Sequence, residues 1–132
     1  MSLAGSCHCG YLKYRVDQER LDDVANCHCS ICRRCSGGTF VTWATVPREH
    51  FAWLTPTPAC YRATPESERY FCPRCGAQLA LYTELAPGSI DITVATLERV
   101  DEFAPKKEIW VANKIAWVQL SGALDHEDEE IL

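Results

Sequence analysis

The chain has 132 residues, of which 23% are charged and 47% hydrophobic, a composition typical of one globular domain rather than of a disordered or fibrous chain. The net charge of -5 argues against a nucleic-acid partner, because phosphate binding depends on lysine and arginine. No run of about 20 apolar residues predicts a membrane span, and the first residues, with neither a basic start nor an apolar run, do not predict a secretory signal. We therefore expect a cytoplasmic protein with residues 1–132 in a single domain.

The predicted elements of the first half are two strands on either side of a cysteine-rich segment. Residues 11–16 alternate in side-chain character and are rich in strand formers, so they predict a strand that follows the tight turn at residues 7–10. Residues 17–23 predict a polar connection. Residues 39–46 are β-branched and aromatic and end at Pro47, which predicts the second strand.

The second half predicts further short strands and little helix. Residues 47–58 hold three prolines and predict a surface excursion, anchored to the core by Phe51, Trp53 and Leu54. Period-two or β-branched runs predict strands at residues 60–63, 68–71, 78–83 and 89–95. Residues 108–118 fit either a helix or an extended segment, and the acidic residues 125–130 predict a solvated tail. The fold class is therefore mainly β.

Cysteine is the residue type that departs from ordinary composition. The chain has nine cysteines, most of them in short spacings. In a reducing compartment such spacings indicate metal binding or redox chemistry, and a disulfide scaffold is the minor alternative. We expect metal sites.

Two outer pairs, Cys7-x-Cys9 and Cys72-x2-Cys75, lie far apart in the sequence, and each is followed by glycine. A structural zinc ion takes four thiolates, commonly as two short pairs on separate turns. Glycine tolerates the positive φ that such a turn requires. The two pairs therefore predict one structural zinc site, and a redox role for the second pair is disfavoured because no helix start follows it.

A central group, Cys27-x-Cys29-x2-Cys32, predicts a second metal site. Three thiolates leave a fourth position open for catalysis, but they also give a zinc site one net negative charge. Arg33 and Arg34 follow directly and would offset this charge or bind an anionic ligand.

Cys35 leaves an alternative open at the central group. If Ser30 caps a short helix, Cys32 and Cys35 share one helical face, and a fourth thiolate would close the site. The spacing of Cys29, Cys32 and Cys35 with a distant Cys72 also resembles part of a ferredoxin pattern, although a local fourth ligand is missing.

The remaining cysteine and the histidines have structural interpretations. Cys60 is predicted to be a small buried hydrophobe. His8 and His28 are predicted to point outward from between the thiols, and His50 and His126 to lie on the surface.

The motifs at residues 5–10, 27–34 and 71–76 together resemble the glutathione-dependent formaldehyde-activating enzyme family, which includes centromere protein V. Their order and separation are similar over nearly the whole chain, and Trp110 and Trp117 match the aromatic C-terminal region of that family. The resemblance implies a mainly β fold of small coiled sheets packed around zinc knuckles, similar to methionine sulfoxide reductase B. It also implies two zinc ions per chain.

By position, the resemblance assigns each cysteine group a role. The structural zinc would be held by Cys7, Cys9, Cys72 and Cys75. The catalytic zinc, which serves the addition of glutathione to formaldehyde, would be held by Cys27, Cys29 and Cys32. Two residues depart from the family pattern: Cys35 replaces a small residue, and Glu108 replaces a common histidine.

Two hypotheses follow for the function. In the first, the chain is a carbon-sulfur lyase or synthase whose open zinc site activates glutathione or a related thiol, with Arg33 or Arg34 binding a ligand carboxylate. In the second, Cys35 completes the central site, both zinc ions are structural and the domain is a binding module. Coordination at the central metal decides between them.

Overall fold

The computed structural model describes residues 1–55 and 57–130, and the prediction of a mainly β fold is confirmed in it. The strands are β1 (Ser2–Ser6), β2 (Lys13–Asp17), β3 (Asp22–Cys27), β4 (Val41–Pro47), β5 (Phe51–Trp53), β6 (Ala59–Thr64), β7 (Ser67–Phe71), β8 (Gln78–Thr83), β9 (Ser89–Thr93), β10 (Lys107–Ile109) and β11 (Asp125–His126). The α-helix of the described part is α1 (Ser30–Ser36), and 3-10 helices lie at Gln18–Arg20, Arg48–His50, Val94–Thr96, Val100–Glu102 and Val111–Asn113. None of these helices is long and apolar enough to cross a membrane.

The strands form two sheets. Strands β1, β2 and β5 make a three-stranded antiparallel sheet. The others form an eight-stranded sheet in the order β11-β10-β3-β4-β9-β8-β7-β6. In this sheet β10 pairs in parallel with β3 and β11, and the other neighbours are antiparallel. The parallel pairing brings the C-terminal segment beside β3, which ends at Cys27.

Alternation along the central strands gives the large sheet two different faces. Ala44 and Val46 of β4 and Ile92 of β9 are fully buried in a core that also contains Tyr14 of the small sheet. Because successive side chains point to opposite faces of a strand, Trp43 lies on the other face, where a second apolar cluster forms. This second face carries the central cysteine group.

Most predicted strands are confirmed, with small shifts at their ends. The runs at residues 11–16, 39–46, 60–63, 68–71, 78–83 and 89–95 correspond to β2, β4, β6, β7, β8 and β9. Strand β1 was not predicted, and the polar connection at residues 17–23 is wrong at its end, where Asp22 and Asp23 begin β3. The Nζ of Lys107 on the neighbouring strand β10 lies 2.8 Å from Asp23 Oδ1 and stabilises this acidic strand end. The pattern of side chains along the sequence does not reveal this contact.

Two predictions about the surface need correction. Phe51 and Trp53 pack against the core as expected, but Leu54 is exposed. The acidic segment at residues 125–130 is not simply a solvated tail, because its backbone pairs with β10 and the Glu127 N–H donates to the Glu108 carbonyl oxygen over 2.8 Å. Similarity to methionine sulfoxide reductase B stays a prediction.

Candidate functional site

The outer cysteines form a cluster of four sulfurs. Cys7 and Cys9 lie on the turn after β1, and Cys72 and Cys75 lie on the turn between β7 and β8. The four sulfur atoms lie within 4.8 Å of one another. Four sulfurs at this separation could hold a metal ion in tetrahedral coordination. We call this group the four-sulfur cluster.

The backbone of both turns directs N–H groups at the cysteine sulfurs. Gly10 and Gly76 each have φ of 81°, a left-handed conformation that follows each cysteine pair. The Leu12 N–H donates to Cys7 Sγ over 3.3 Å, and two backbone N–H groups donate to Cys72 Sγ over 3.3 and 3.4 Å. Such donors stabilise the charged sulfur that binds a metal.

Side chains also join the two turns to each other. The Arg74 guanidinium lies 4.0 Å from the centre of the Tyr11 ring, across the gap between the turns. The Ala77 N–H lowers the pKa of the Cys75 thiol to about 6, which favours the thiolate near neutral pH. The four-sulfur cluster therefore links the small sheet to the large one.

The central cysteines form a second group, the three-sulfur cluster. Cys27 ends β3, Cys29 caps the N-terminus of α1, and Cys32 lies in its first turn. Their sulfur atoms also lie within 4.8 Å of one another. The cap predicted at Ser30 is wrong by one residue, because Cys29 Sγ accepts the Cys32 N–H over 3.3 Å.

Hydrogen bonds within the three-sulfur cluster shift the pKa values of its thiols in opposite directions. Hydrogen bonds from Cys27 and Cys32 lower the pKa of the Cys29 thiol to about 2. The same contact with Cys29 raises the pKa of Cys27. The cluster thus favours the thiolate at Cys29, and a metal ion would replace the protons that the three sulfurs share.

His28 does not point outward, and that prediction is wrong. Its side chain is only 1% exposed, and its Nε2 lies 2.8 Å from Glu108 Oε1. The second oxygen of Glu108 accepts the Ser121 N–H, and the His28 N–H donates to the Ile109 carbonyl oxygen. These bonds fasten the cysteine turn to the C-terminal segment, because the β3–β10 pairing sets their strands side by side.

The remaining cysteines lie outside both clusters in the described part of the chain. Cys35 is exposed, one helical turn after Cys32. Cys60 is exposed on β6, where its thiol donates to Glu68 Oε2, so its predicted burial is wrong. An edge strand gives this side chain no core to pack against. His8 and His126 are exposed as predicted, and His50 is half-buried.

A buried arginine that the sequence did not reveal lies against the three-sulfur cluster. Arg69 of β7 is 6% exposed, and its Nη2 donates to Cys32 Sγ over 3.5 Å. Its Nη1 donates to Gln78 Oε1 over 3.1 Å, and its guanidinium lies 6.0 Å from the centre of the Trp43 ring. Arg69 therefore places a positive charge beside Cys32, the role that the sequence predicts for Arg33 and Arg34.

A cavity of about 540 Å³ adjoins the three-sulfur cluster, and all three sulfur-bearing residues line it. Its floor is the second face of the large sheet, which contributes Trp43, Leu81 and Arg69. Its lining also includes two partly buried carboxyl groups, one on the floor and one on a wall. Burial raises the pKa of Asp91 to about 6 and that of Glu130 to about 7.

Comparison with known proteins gives the family. A sequence model of the family described as "Glutathione-dependent formaldehyde-activating enzyme" matches residues 2–113. The chain belongs to this family. A Halomonas elongata protein named "Putative glutathione-dependent formaldehyde-activating enzyme" is 29% identical, over 91% of this chain and 82% of the relative. A crystal structure of a Rhodobacter sphaeroides protein matches with a TM-score of 0.62 and 27% identity, over 72% of this chain and 87% of that protein.

The match to the glutathione-dependent formaldehyde-activating enzyme family contains both cysteine clusters and Arg69. It ends before Glu130, which nevertheless lines the cavity. Neither Arg33 nor Arg34 is among the described residues of the cavity lining. Their contact with a ligand carboxylate stays a prediction.

Proposed function

We propose that this chain is a zinc-dependent carbon-sulfur lyase or synthase that joins a thiol such as glutathione to formaldehyde or another small aldehyde, and reverses that reaction. The observation that carries the proposal is the position of the three-sulfur cluster on the wall of the cavity. The family description and the name of the Halomonas relative support glutathione and formaldehyde as reactants.

The donor sets of both clusters fit zinc. Thiolates are ligands that zinc takes in structural sites, and four of them complete its tetrahedron. The three-sulfur cluster would leave one position for a further ligand, and the exposure of Cys35 supports this count. Zinc held by Cys27, Cys29 and Cys32 supplies Lewis acidity that lowers the pKa of a thiol bound to it.

The residues around the three-sulfur cluster favour zinc and thiolate there. The Arg69 guanidinium offsets the net negative charge of three thiolates around one divalent ion. The apolar side chains of Trp43, Leu81 and Ile109 surround the sulfurs on one side and lower the local dielectric constant, which strengthens charge interactions there. The Cys32 N–H fixes the direction of the Cys29 thiolate.

The proposed reaction balances without a further reactant. The thiol loses its proton, its sulfur forms a bond to the carbonyl carbon, and the carbon-oxygen π pair moves to oxygen. The oxygen then takes up a proton and becomes the hydroxyl of the adduct. In reverse, the carbon-sulfur bond breaks and the aldehyde is released. Placing thiol and aldehyde together is the main contribution of such a site.

Exchange spectroscopy tests the proposal. Nuclear magnetic resonance of zinc-loaded protein with glutathione and formaldehyde measures how fast the adduct forms and dissociates. We expect wild type and Cys35→Ala to accelerate the exchange and Cys32→Ala to lose the acceleration, because only Cys32 belongs to the three-sulfur cluster. Exchange at the uncatalysed rate with fully loaded wild type would refute the enzyme proposal.

The alternative is a binding module in which both zinc ions are structural. X-ray absorption separates it from the enzyme, because an open central site gives an average of about 3.5 sulfurs per zinc in wild type and a closed site gives about four. If Cys35 completes the site, Cys35→Ala lowers the average by about half a sulfur. The proposal further holds that residues 1–132 form one domain. It also places the protein in the reducing cytoplasm, and the nine free cysteines support that compartment.

A further inference from the structure

One row of side chains crosses the floor of the cavity. Thr45 of β4 lies opposite Asp91 of β9, Asp91 lies opposite Leu81 of β8, and Leu81 lies opposite Arg69 of β7. Residues directly opposite each other share a face of the sheet, and all four line the cavity. A cation and a carboxyl group therefore stand two strands apart, roughly 10 Å between backbones, with one leucine between them.

The two charged residues of this row, Arg69 and Asp91, differ in what already contacts them. Arg69 is engaged by Cys32 Sγ and by Gln78 Oε1. Asp91 accepts one hydrogen bond, from the Thr45 hydroxyl over 2.7 Å, and forms no ion pair within residues 1–55 and 57–130. The charge that this cavity leaves available to a ligand is therefore the negative one.

Nearby groups do not neutralise Asp91. Lys107 of β10, whose charge acts on Glu130 of the cavity, pairs with Asp23 and Glu127. On the covering wall, Asp91 acts as a like charge on Glu130, and burial raises the pKa of both carboxyl groups. A buried carboxylate without a cation is costly, and a ligand cation would remove that cost.

We propose that Asp91 binds the ammonium group of a peptide-sized thiol whose sulfur joins the three-sulfur cluster. This inference rests on the proposed function and names the substrate class of that site. It distinguishes amino-group-bearing thiols from neutral or purely anionic ones. Asp91 is a specificity residue here, and it takes no part in the proton transfers of the reaction.

The sheet register supports a ligand of peptide length. Thr45, beside Asp91, lies four residues along β4 from Val41, which pairs with Cys27. Four residues of strand span roughly 13 Å. In glutathione eight bonds separate the thiol sulfur from the ammonium nitrogen, a reach of roughly 10 Å, and the side chains of Cys27 and Asp91 extend into the cavity from the two ends. Free cysteine is too short, and a tripeptide such as glutathione is long enough.

Ligand affinity tests this assignment without relying on turnover. Glutathione and N-acetylglutathione carry the same thiol and carboxylates, but only the first has an ammonium group. Their dissociation constants for the zinc-loaded protein follow from the fluorescence of Trp43 and Trp110, which line the cavity, or from calorimetry. We expect wild type to bind glutathione roughly tenfold or more tightly than the acetylated form, the effect of one charge-assisted hydrogen bond.

The variant Asp91→Asn completes the test. Its amide oxygen still accepts the Thr45 hydrogen bond, so the local structure is retained. We expect it to bind glutathione roughly tenfold more weakly and N-acetylglutathione as well as wild type does. Asp101→Asn, an exposed carboxyl outside the cavity lining, is the matched control and is expected to change neither constant.

The possible outcomes distinguish the ammonium subsite from the proposed function on which it rests. Equal affinity of wild type for the two ligands, or an equal loss of both in Asp91→Asn, would overturn the ammonium subsite and leave the thiol enzyme intact. Failure of wild type to bind either thiol would overturn both proposals. If Asp91→Asn does not fold, the comparison of the two ligands on wild type decides alone.

Discussion

The four-sulfur cluster and the three-sulfur cluster are built from the same atoms but have different surroundings. The first joins two turns from different sheets, and backbone N–H groups supply most of its polar contacts. The second lies between a strand end and a helix, beside a buried arginine and a large cavity. The difference indicates that the first serves the stability of the fold and the second serves a ligand.

The largest expected effect comes from breaking the four-sulfur cluster. Cys72 is fully buried and receives two backbone hydrogen bonds. We expect Cys72→Ser to lose its metal and unfold, because binding free energy on the order of 10 kcal/mol contributes to folding at such sites. Circular dichroism and metal analysis measure both. Cys60→Ser is the control, since that thiol is exposed, and a folded Cys72→Ser protein would contradict the structural role.

Breaking the three-sulfur cluster should have a smaller effect on folding. We expect Cys32→Ser to remain folded while it loses one zinc ion and all thiol binding, since its sulfur lines the cavity and the main core lies on the other sheet face. Cys35→Ser, one helical turn away, should keep two zinc ions per chain. Metal analysis with thermal unfolding checks both variants. If Cys32→Ser unfolds as completely as Cys72→Ser does, the contrast between the clusters is wrong.

Arg69 tests whether the second cluster depends on its surroundings. We expect Arg69→Gln to weaken zinc binding at the three-sulfur cluster roughly 10- to 100-fold, the usual cost of losing a group that supports a metal ligand. Arg69→Lys should recover part of that loss because it retains the charge. Competition with a chromophoric chelator measures the affinity.

The exposed Arg34 is the control for that prediction, because the sequence alone assigns it the same role. We expect Arg34→Gln to bind zinc as tightly as wild type. A larger loss in Arg34→Gln than in Arg69→Gln would restore the arginines after Cys32 as the charge partners of the cluster.

The sequence predicts the cysteine groups well because each is a local pattern. Two cysteines separated by one or two residues and followed by glycine determine a turn whatever surrounds them. The strands are equally local, since the β-branched and aromatic residues before Pro47 predict β4, the strand in which Ala44 and Val46 reach the core. The short spacings also predict the three-sulfur cluster, although they do not identify Cys29 as the helix cap.

The sequence does not predict the surroundings of the second cluster, because they depend on strand pairing. Arg69 is 37 residues from Cys32, and Glu108 is 80 residues from His28. Which strand lies beside which is decided by the order of the eight-stranded sheet. The signal that the sequence does contain is an arginine within a predicted strand that leads directly into a cysteine turn, as at Arg69.

The smallest expected effect concerns the free energy of unfolding, which the Asp91 carboxylate in the cavity lowers. Burial raises the pKa of Asp91 from 3.8 to about 6, so the folded state holds its proton more tightly than the unfolded chain does. The stability that this group contributes is complete below the ordinary pKa and is lost as the pH rises through the raised one. At neutral pH, ligand-free wild type therefore contains a costly buried carboxylate.

Asp91→Asn removes this cost because an amide does not ionise. We expect the ligand-free variant to be as stable as wild type below the ordinary carboxyl pKa and more stable above pH 6, by on the order of 1 to 3 kcal/mol. Urea unfolding of both proteins across this pH range measures the difference, with the exposed Asp101→Asn as control. Equal stability of variant and wild type above pH 6 would show that Asp91 is solvated like a surface carboxylate. A difference that grows with pH would show that the cavity, unlike the four-sulfur cluster, holds a carboxylate whose charge is not compensated in the ligand-free protein.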